Sequence, residues 1–125
     1  MTKGEMEAAI GEGINHLEQE YMGRGSKDIH AYLQDDMVTV RLHGVLTAAE
    51  QHLGKMMPVE KGRDLLKNVR TNLIEMARPI METLVTKTTG AKVISLHHDI
   101  STVTGEEIVV FTLAKTVIFR DTKAK

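Results

Sequence analysis

The fold class is decided by residues 29–43, whose sequence is IHAYLQDDMVTVRLH. Apolar and polar side chains alternate on both sides of Asp35-Asp36, and this period-two pattern is typical of a β-hairpin. With Asp35-Asp36 as the turn, one face of the hairpin carries apolar cross-strand pairs, namely Ile29 with Leu42, Ala31 with Val40 and Leu33 with Val38. The opposite face pairs His30 with Arg41 and Tyr32 with Thr39. The sequence therefore predicts a sheet with one continuous apolar face.

A helix is predicted before the hairpin. Thr2 and Glu5 form a capping box, in which each side chain accepts a hydrogen bond from the other residue's backbone N–H. Apolar residues recur at helical spacing as far as Tyr21, and residues 23–26, Gly-Arg-Gly-Ser, end the helix. Residues 11–13 include two glycines that each cost about 1 kcal/mol relative to Ala, so either a neighbour approaches closely or the helix is slack there. Three acidic residues fall off the apolar stripe: Glu12, Glu18 and Glu20.

Two helices are predicted after the hairpin. Thr47 and Glu50 form a second capping box, which begins a short helix that runs to about Met56. Pro58 interrupts the helical pattern, and a long helix follows.

The long helix is predicted from about Glu60 to Thr88. Pro79 lies inside it, and because proline removes a backbone hydrogen bond and clashes with the preceding turn, we predict a kink or a break into two helices. We expect this helix to be the most buried. The centre of its buried face is predicted to be Leu66, Val69, Leu73, Met76, Ala77, Ile80 and Leu84, with Leu65, Ile74, Met81 and Val85 at the margins.

Strand patterns fill the last third of the chain. Gly90 ends the long helix, and residues 91–101 and 107–113 are predicted strands joined by a turn that contains Thr104-Gly105. The order α-β-β-α-α-β-β predicts an α+β fold in two layers, with helices packed on a mainly antiparallel sheet.

We assign residues 1–115 to a single domain and residues 116–125 to a C-terminal extension or tail. Residues 116–120 are predicted to extend the last strand or to form a further element. Residues 121–125 are predicted to be a frayed polar tail.

Composition excludes several classes of protein. The 125 residues are the length of a single domain and include no cysteine, so a disulfide framework is impossible. Sixteen basic and 17 acidic residues, with 3% aromatic residues, disfavour nucleic-acid binding. No apolar stretch approaches the ~20 residues of a membrane span, and the N-terminus lacks a signal-peptide pattern. We therefore expect a soluble, cytoplasmic protein with no direct membrane span.

Charge is distributed unevenly along the chain. Residues 1–62 carry 6 basic and 10 acidic side chains, a net charge of −4, whereas residues 63–125 carry 10 and 7, a net charge of +3. This asymmetry favours self-association or binding to a partner, although two ordinary solvated surfaces are the simpler explanation.

Histidines are the first candidates for a ligand site. His97 and His98 are adjacent on a strand and point to opposite faces, so this pair is poorly placed to bind one ion. If both hairpins lie in one sheet, a polar face suited to a small anion or a weak metal ion is formed by His30, Arg41, His43, His97 and Asp99. None of the spacings is a dedicated metal motif, so we expect structural histidines and no bound metal or cofactor.

Arginine residues are the next candidates. The loop Gly23-Arg24-Gly25 is a weak match to a phosphate loop, because it leads from a helix into a strand. Arg24 is a candidate anion donor or partner contact, the alternative being a plain connection. On the long helix we expect Arg70, Glu75 and Arg78 at the surface, with Glu75 and Arg78 paired. The functional alternative is an Arg-lined partner surface.

No set of residues indicates catalysis. Cysteine is missing, no Gly-x-Ser-x-Gly motif occurs, and the three serines have no catalytic residues near them in the sequence. We therefore expect that the chain is not an enzyme, and we assign no catalytic residue.

Four sequence blocks in order resemble the MpsC-like family of short bacterial proteins. They are residues 21–25 (YMGRG), 40–50 (VRLHGVLTAAE), 69–79 (VRTNLIEMARP) and 98–106 (HDISTVTGE), and the resemblance extends over about residues 1–115. One departure is Ser26, where the family is expected to have Pro, and this leaves the preceding loop less rigid. The resemblance implies that the family's motif positions in this sequence are Gly23, Arg24, Gly25, Arg41, Gly44, Thr47, Glu50, Arg70, Glu75, Arg78, Pro79, Asp99, Thr104, Gly105 and Glu106.

The resemblance implies a soluble accessory component of a Na⁺-translocating, membrane-potential-generating system whose membrane subunits are separate proteins. It implies no catalytic residues. Our leading hypothesis is therefore a non-enzymatic protein that forms a homodimer and docks on such membrane subunits.

Two alternatives stay open from the sequence. One is a small-molecule or anion-binding module that uses the polar face of the sheet. The other is a KH-like RNA-binding module, which shares the order α-β-β-α-α-β. The Gly-x-x-Gly clamp of such modules is missing, since the region between the two helices has only Gly54 and Gly62.

Overall fold

The helices and strands follow one another in the predicted order, and the α+β prediction is confirmed. This computed structural model describes residues 1–56 and 59–119. Pro58, where we predicted an interruption, and the tail at 121–125 lie outside the described residues. The elements are α1 (Lys3–Met22), β1 (Asp28–Gln34), β2 (Met37–His43), α2 (Ala48–Met56), α3 (Val59–Thr89), β3 (Val93–Ile100) and β4 (Glu107–Leu113).

The four strands form one antiparallel sheet in the order β1-β2-β4-β3. The predicted register of the first hairpin is confirmed, with Leu33 opposite Val38 and His30 opposite Arg41. In its turn, Asp35 has a positive φ of 56°, which Asp tolerates better than most residues. Because β2 also pairs with β4, the two hairpins are joined in the middle of the sheet.

The core lies between one face of the sheet and the helices α1 and α3. Alternation along the strands places large apolar side chains on this inner face, where burying each of them stabilises the fold by roughly 1.5–3 kcal/mol. Side chains with 0% exposure include Ile10, Ile14, Val38, Val40, Leu42, Ile74, Met81, Val109 and Phe111. The alternate residues form the opposite face, here called the outer face, and are exposed or half-buried.

Capping boxes begin α1 and α2 as predicted. At α1, the backbone N of Thr2 donates to Glu5 Oε1 at 2.8 Å, and the N of Glu5 donates to Thr2 Oγ1 at 3.2 Å. At α2, the N of Thr47 donates to Glu50 Oε1 at 2.8 Å, and the N of Glu50 donates to Thr47 Oγ1 at 3.1 Å. Each box satisfies two of the backbone donors that a helix start leaves free.

A close neighbour explains one of the two glycines within α1. A Cβ atom at Gly13 would lie 2.5 Å from Cδ2 of Leu84 in α3, whereas nothing lies within 4 Å of a Cβ atom at Gly11. Gly13 therefore permits the close packing of α1 on α3.

The face that α3 turns to the core differs from our prediction. Val69, Met76 and Ile80, predicted at the centre of the buried face, are 38%, 65% and 44% exposed. Leu66 and Ala77, also predicted at the centre, are buried as expected. The other buried positions are Ile74, Met81 and Val85, which we predicted at the margins, and Arg70. The prediction failed because apolar residues occupy two sides of this helix, and hydrophobic periodicity counted Arg70 as a surface residue.

The helix α3 runs through Pro79 as a single element of 31 residues, so of the two outcomes predicted there, a kink or a break, the break into two helices is wrong. Pro79 lies on the exposed side of the helix, where water can satisfy the carbonyl group that loses its partner.

After β4, residues 116–119 form no helix or strand. They lie against the first hairpin, since the N of Val117 donates to the carbonyl of Asp35 at 3.1 Å.

Candidate functional site

The predicted polar face exists as the outer face of the sheet. His30, Arg41, Ile108 and Asp99 form one row across the four strands. His97 lies in the next row, opposite Val110. The five predicted residues do not, however, form one cluster.

Three of the predicted residues converge on two carboxylates at one end of the outer face. Arg41 Nε donates to Glu106 Oε2 at 2.6 Å, and His43 Nε2 lies 2.9 Å from the same oxygen. Asp28 approaches His30 at 3.1 Å and His43 at 3.9 Å. The hydrogen bond from Arg41, together with its charge and that of His43, lowers the pKa of Glu106. Because Glu106 already occupies Arg41 and His43, the geometry does not favour an anion site here.

The other two predicted residues have separate surroundings. Asp99 accepts a hydrogen bond from Lys67 Nζ of α3 at 2.9 Å, and this bond lowers the pKa of Asp99. His97 is exposed on the outer face, whereas the neighbouring His98 faces the other way, and burial lowers the pKa of His98. In the described part of the chain, no group of three or more His, Asp or Glu side chains is arranged to hold a metal ion.

The Gly-Arg-Gly loop is tied to the rest of the fold. Arg24 Nη1 donates to the carbonyl of Leu46 at 3.1 Å, which links the end of α1 to the connection before α2. Asn15 Oδ1 accepts hydrogen bonds from both the backbone N and the Oγ of Ser26 at 2.9 Å. A Cβ atom at Gly25 would lie 2.9 Å from the same Asn15 oxygen, so a larger residue there would have to displace this side chain. The arrangement fixes the shape of the loop.

The charged residues of α3 divide into two groups. Arg78 lies at the surface as expected, where its Nε donates to Glu82 Oε2 at 2.8 Å and its Nη1 lies 3.5 Å from Glu75 Oε1. Arg70 is only 1% exposed, so the expected surface position is wrong for this residue.

Arg70 forms a buried cluster with Glu18 of α1 and Glu107 of β4. Its Nη2 donates to Glu18 Oε1 at 2.9 Å and also to Glu107 Oε1. Glu18 and Glu107 are 1% and 0% exposed. The cluster thus joins the first helix, the long helix and the central part of the sheet.

Burial dominates the electrostatics of this cluster. Burial raises the pKa of Glu18 from 4.5 to about 7. The charge of Arg70 lowers this pKa and the charge of Glu107 raises it, but burial has the largest effect. Burial likewise raises the pKa of Glu107. For Arg70 burial opposes the charged form, but the charges of Glu107 and Glu18 outweigh it and raise the pKa of the guanidinium. Arg70 therefore stays protonated.

The prediction missed this cluster, although the sequence contains a signal for it. Glu107 alternates with Val109 and Phe111 on the buried side of β4. Arg70 lies one helical turn from Leu66 and one from Ile74, both of which are buried. Glu107 and Arg70 thus occupy positions that periodicity reserves for the core. Glu18, which we predicted to fall off the apolar stripe of α1, is also buried, so that prediction is wrong for this residue.

An exposed apolar strip lies on α3 outside the face that packs on the core. We call it the outer stripe of α3, and it consists of Leu65, Val69, Met76 and Ile80. The exposed fractions range from 38% for Val69 to 65% for Met76. Fifteen residues of helix separate its ends, a distance of about 22 Å. Such a row of apolar side chains is the kind of surface that binds another protein.

Comparison with known proteins identifies the family. A family model described as "Na+-translocating membrane potential-generating system (MpsC)" matches residues 2–115. "Uncharacterized protein YbcI" of Bacillus subtilis (strain 168) is 36% identical over 112 residues, which cover 90% of this chain and 88% of the relative. "Uncharacterized protein YrhF" of the same organism is 32% identical over 92 residues, 70% of each chain.

No solved structure matches the chain. Within the described residues, no helix combines the length and apolar character needed to cross a membrane. The family description and the names of the two relatives mention neither RNA nor a small-molecule ligand. The family model and both relatives show that the chain belongs to the MpsC family.

Proposed function

We propose that this chain is a non-enzymatic, cytoplasmic accessory protein of a Na⁺-translocating, membrane-potential-generating system and that it acts by docking on a protein subunit of that system. The family description supports the link to the system. The observation that carries the docking proposal is the outer stripe of α3, four apolar side chains on one side of a long helix.

The position of the stripe supports a role in binding. The core side of α3 is already complete without Val69, Met76 and Ile80, because Ile74 and Met81 fill it. Apolar side chains left in water gain free energy when a partner covers them, at about 25 cal/mol per Å² of buried apolar surface. The partner that fits is a protein segment with an apolar face of its own, such as a helix laid along α3.

The ion-paired charged residues of α3 lie outside the stripe. Arg78, with Glu75 and Glu82, lies along the same helix, and Lys67 lies nearer its start. These ion pairs are already formed within the chain, so a partner gains little from them. The apolar contact is the main source of affinity in this proposal.

Self-association is part of the proposal. A homodimer in which each chain covers a surface of the other is consistent with the charge difference between residues 1–62 and 63–125. Sedimentation velocity over a range of protein concentration measures the oligomeric state, and a monomer at every concentration contradicts this part alone.

Co-purification tests the docking proposal. The chain is expressed with the membrane subunits of the system, and the membranes are solubilised before the chain is isolated by a tag. We expect the subunits to be retained by the wild type and lost with the V69E/M76E variant. The matched control is N68E/T71E, which adds the same charge at exposed positions of α3 outside the stripe. Retention that is equal for all three proteins, or missing for the wild type, contradicts the proposal.

A further inference from the structure

The cluster of Glu18, Arg70 and Glu107 contains two acids and one base away from water. The three side chains are 1%, 1% and 0% exposed and come from α1, α3 and β4. Both carboxyl groups accept a hydrogen bond from the same nitrogen of Arg70, so they lie next to each other. If both were ionised, the cluster would carry one uncompensated negative charge in the core.

Each of the three side chains in the cluster has one buried polar atom that lacks a hydrogen-bond partner. Glu18 Oε2, Glu107 Oε2 and Arg70 Nε are buried and have no hydrogen-bond partner. A buried ionised oxygen without a partner is costly, and such a group usually takes up a proton instead. When one of the two carboxyl groups is protonated, it has an O–H group that can donate a hydrogen bond.

The surrounding charges increase the need for a positive charge. Glu50 of α2 acts on both carboxyl groups and Asp99 of β3 acts on Glu107, each as a further negative charge. His98 of β3 feels the charge of Arg70, and burial favours the neutral form of this histidine. Among the described residues no set of three or more His, Asp or Glu side chains is arranged to hold a metal ion, and a proton needs no such set.

We propose that Glu18 and Glu107 bind one proton between them in the folded chain and that the release of this proton weakens the packing of α1 on α3 and the sheet. The proton neutralises one carboxyl group, and the other forms an ion pair with Arg70. When the proton leaves, two carboxylates face one guanidinium across the interface between α1 and the rest of the fold. This inference is independent of the docking proposal.

The sign of the pH effect follows from the raised pKa of Glu18, which shifts from 4.5 to about 7. The stabilisation from the bound proton is complete below the ordinary pKa of Glu, which applies to the unfolded chain. It is lost as pH rises through the raised pKa of Glu18 in the folded chain. Between these two limits, the unfolding equilibrium constant is expected to rise by up to about tenfold per pH unit through this site.

Carbon-13 NMR of the Glu carboxyl groups tests the proposal on the unmodified chain. We expect one Glu signal to titrate close to pH 7 and to disappear in E18Q. The matched control is E20Q, which removes an exposed carboxyl group of the same helix and leaves that signal in place. Titration of every Glu signal near its ordinary pKa overturns the proposal. The titration is repeated in NaCl and in KCl, and a midpoint that moves with Na⁺ alone identifies a metal cation instead and also overturns it.

Urea unfolding between pH 5 and pH 7.5 gives the second readout. The wild type is expected to lose stability as pH rises across this window, whereas E18Q and E107Q, each with one permanently neutral side chain, are expected to lose much less. If the unfolding free energy falls by the same amount in the wild type and in either variant, the proposal is contradicted. If one variant does not fold, the other variant and the NMR titration of the wild type still decide the outcome.

Discussion

Arg70 of α3 donates a hydrogen bond to Glu18 of α1 at 2.9 Å, and both side chains are 1% exposed. The same guanidinium donates to Glu107 at the start of β4. One residue thus connects two of the helices, α1 and α3, with the sheet. The stability of the fold should depend on this arginine more than on any surface ion pair.

Removing the arginine should be strongly destabilising. R70M leaves two buried carboxyl groups without their cation, and we expect a loss of about 3–5 kcal/mol of unfolding free energy at pH 8. The loss should be smaller at pH 5, because both carboxyl groups can then take up protons. Urea unfolding at the two pH values measures the difference.

R78M is the matched control for this substitution, because Arg78 forms its ion pairs at the surface of the same helix. Exposed pairs contribute little to stability. A cost for R70M no larger than that for R78M would show that the buried cluster is not a stabilising contact.

Two glycines of α1 should respond differently to alanine. Gly11 has open space around it, so G11A should stabilise the protein by about 0.5–1 kcal/mol through the higher helix propensity of Ala. G13A brings the same propensity but places Cβ against Leu84, which has to move. We expect G13A to stabilise less than G11A or to destabilise. Equal thermal stability of the two variants contradicts the close approach of α1 and α3.

Gly44 should be more sensitive to alanine than Gly90. Both have a positive φ, of 69° and 75°, for which a residue with a Cβ atom pays about 1–2 kcal/mol. At Gly44 the added Cβ atom would also lie 2.9 Å from Cβ of Lys27, whereas nothing lies within 4 Å of one at Gly90. G44A is therefore expected to lower the unfolding free energy further than G90A, and chemical denaturation ranks the two.

The ion pair on the outer face should be visible in the titration of Glu106. Arg41 lowers the pKa of this carboxyl group, so the pair stabilises the fold above the ordinary pKa of Glu and is lost as pH falls through the lowered value. We expect R41M to move the NMR midpoint of Glu106 upward. The midpoint of Asp99, which is lowered by Lys67, should stay where it is. An unchanged Glu106 midpoint in R41M means that Arg41 is not its partner in solution.

Much of the fold follows from local sequence signals. Asp35-Asp36 and the alternation around it predict the register of the first hairpin, and Thr2 and Thr47 mark the starts of two helices. These signals are reliable because they depend on neighbouring residues. The order of the strands could not be predicted in this way, since it depends on the contact between β2 and β4, which are far apart in the chain.

The rotation of α3 and the pairing within the buried cluster could not be predicted for a related reason. Apolar residues on two sides of the helix make either Met76 or Met81 acceptable in the core by periodicity alone. In the observed rotation Met81 faces inward, and Arg70, on the same side of the helix, reaches Glu18 and Glu107. A pairing between residues 18, 70 and 107 leaves no mark in any short window of sequence.

Site-specific photo-crosslinking tests the docking claim most directly. A photoreactive amino acid replaces Met76 in the outer stripe of α3, or Thr71 on the exposed polar side of the same helix, in cells that produce the membrane subunits of the system. The account predicts a crosslink to one of those subunits from position 76 and none from position 71. Products of equal yield from both positions, or none from position 76, would contradict it.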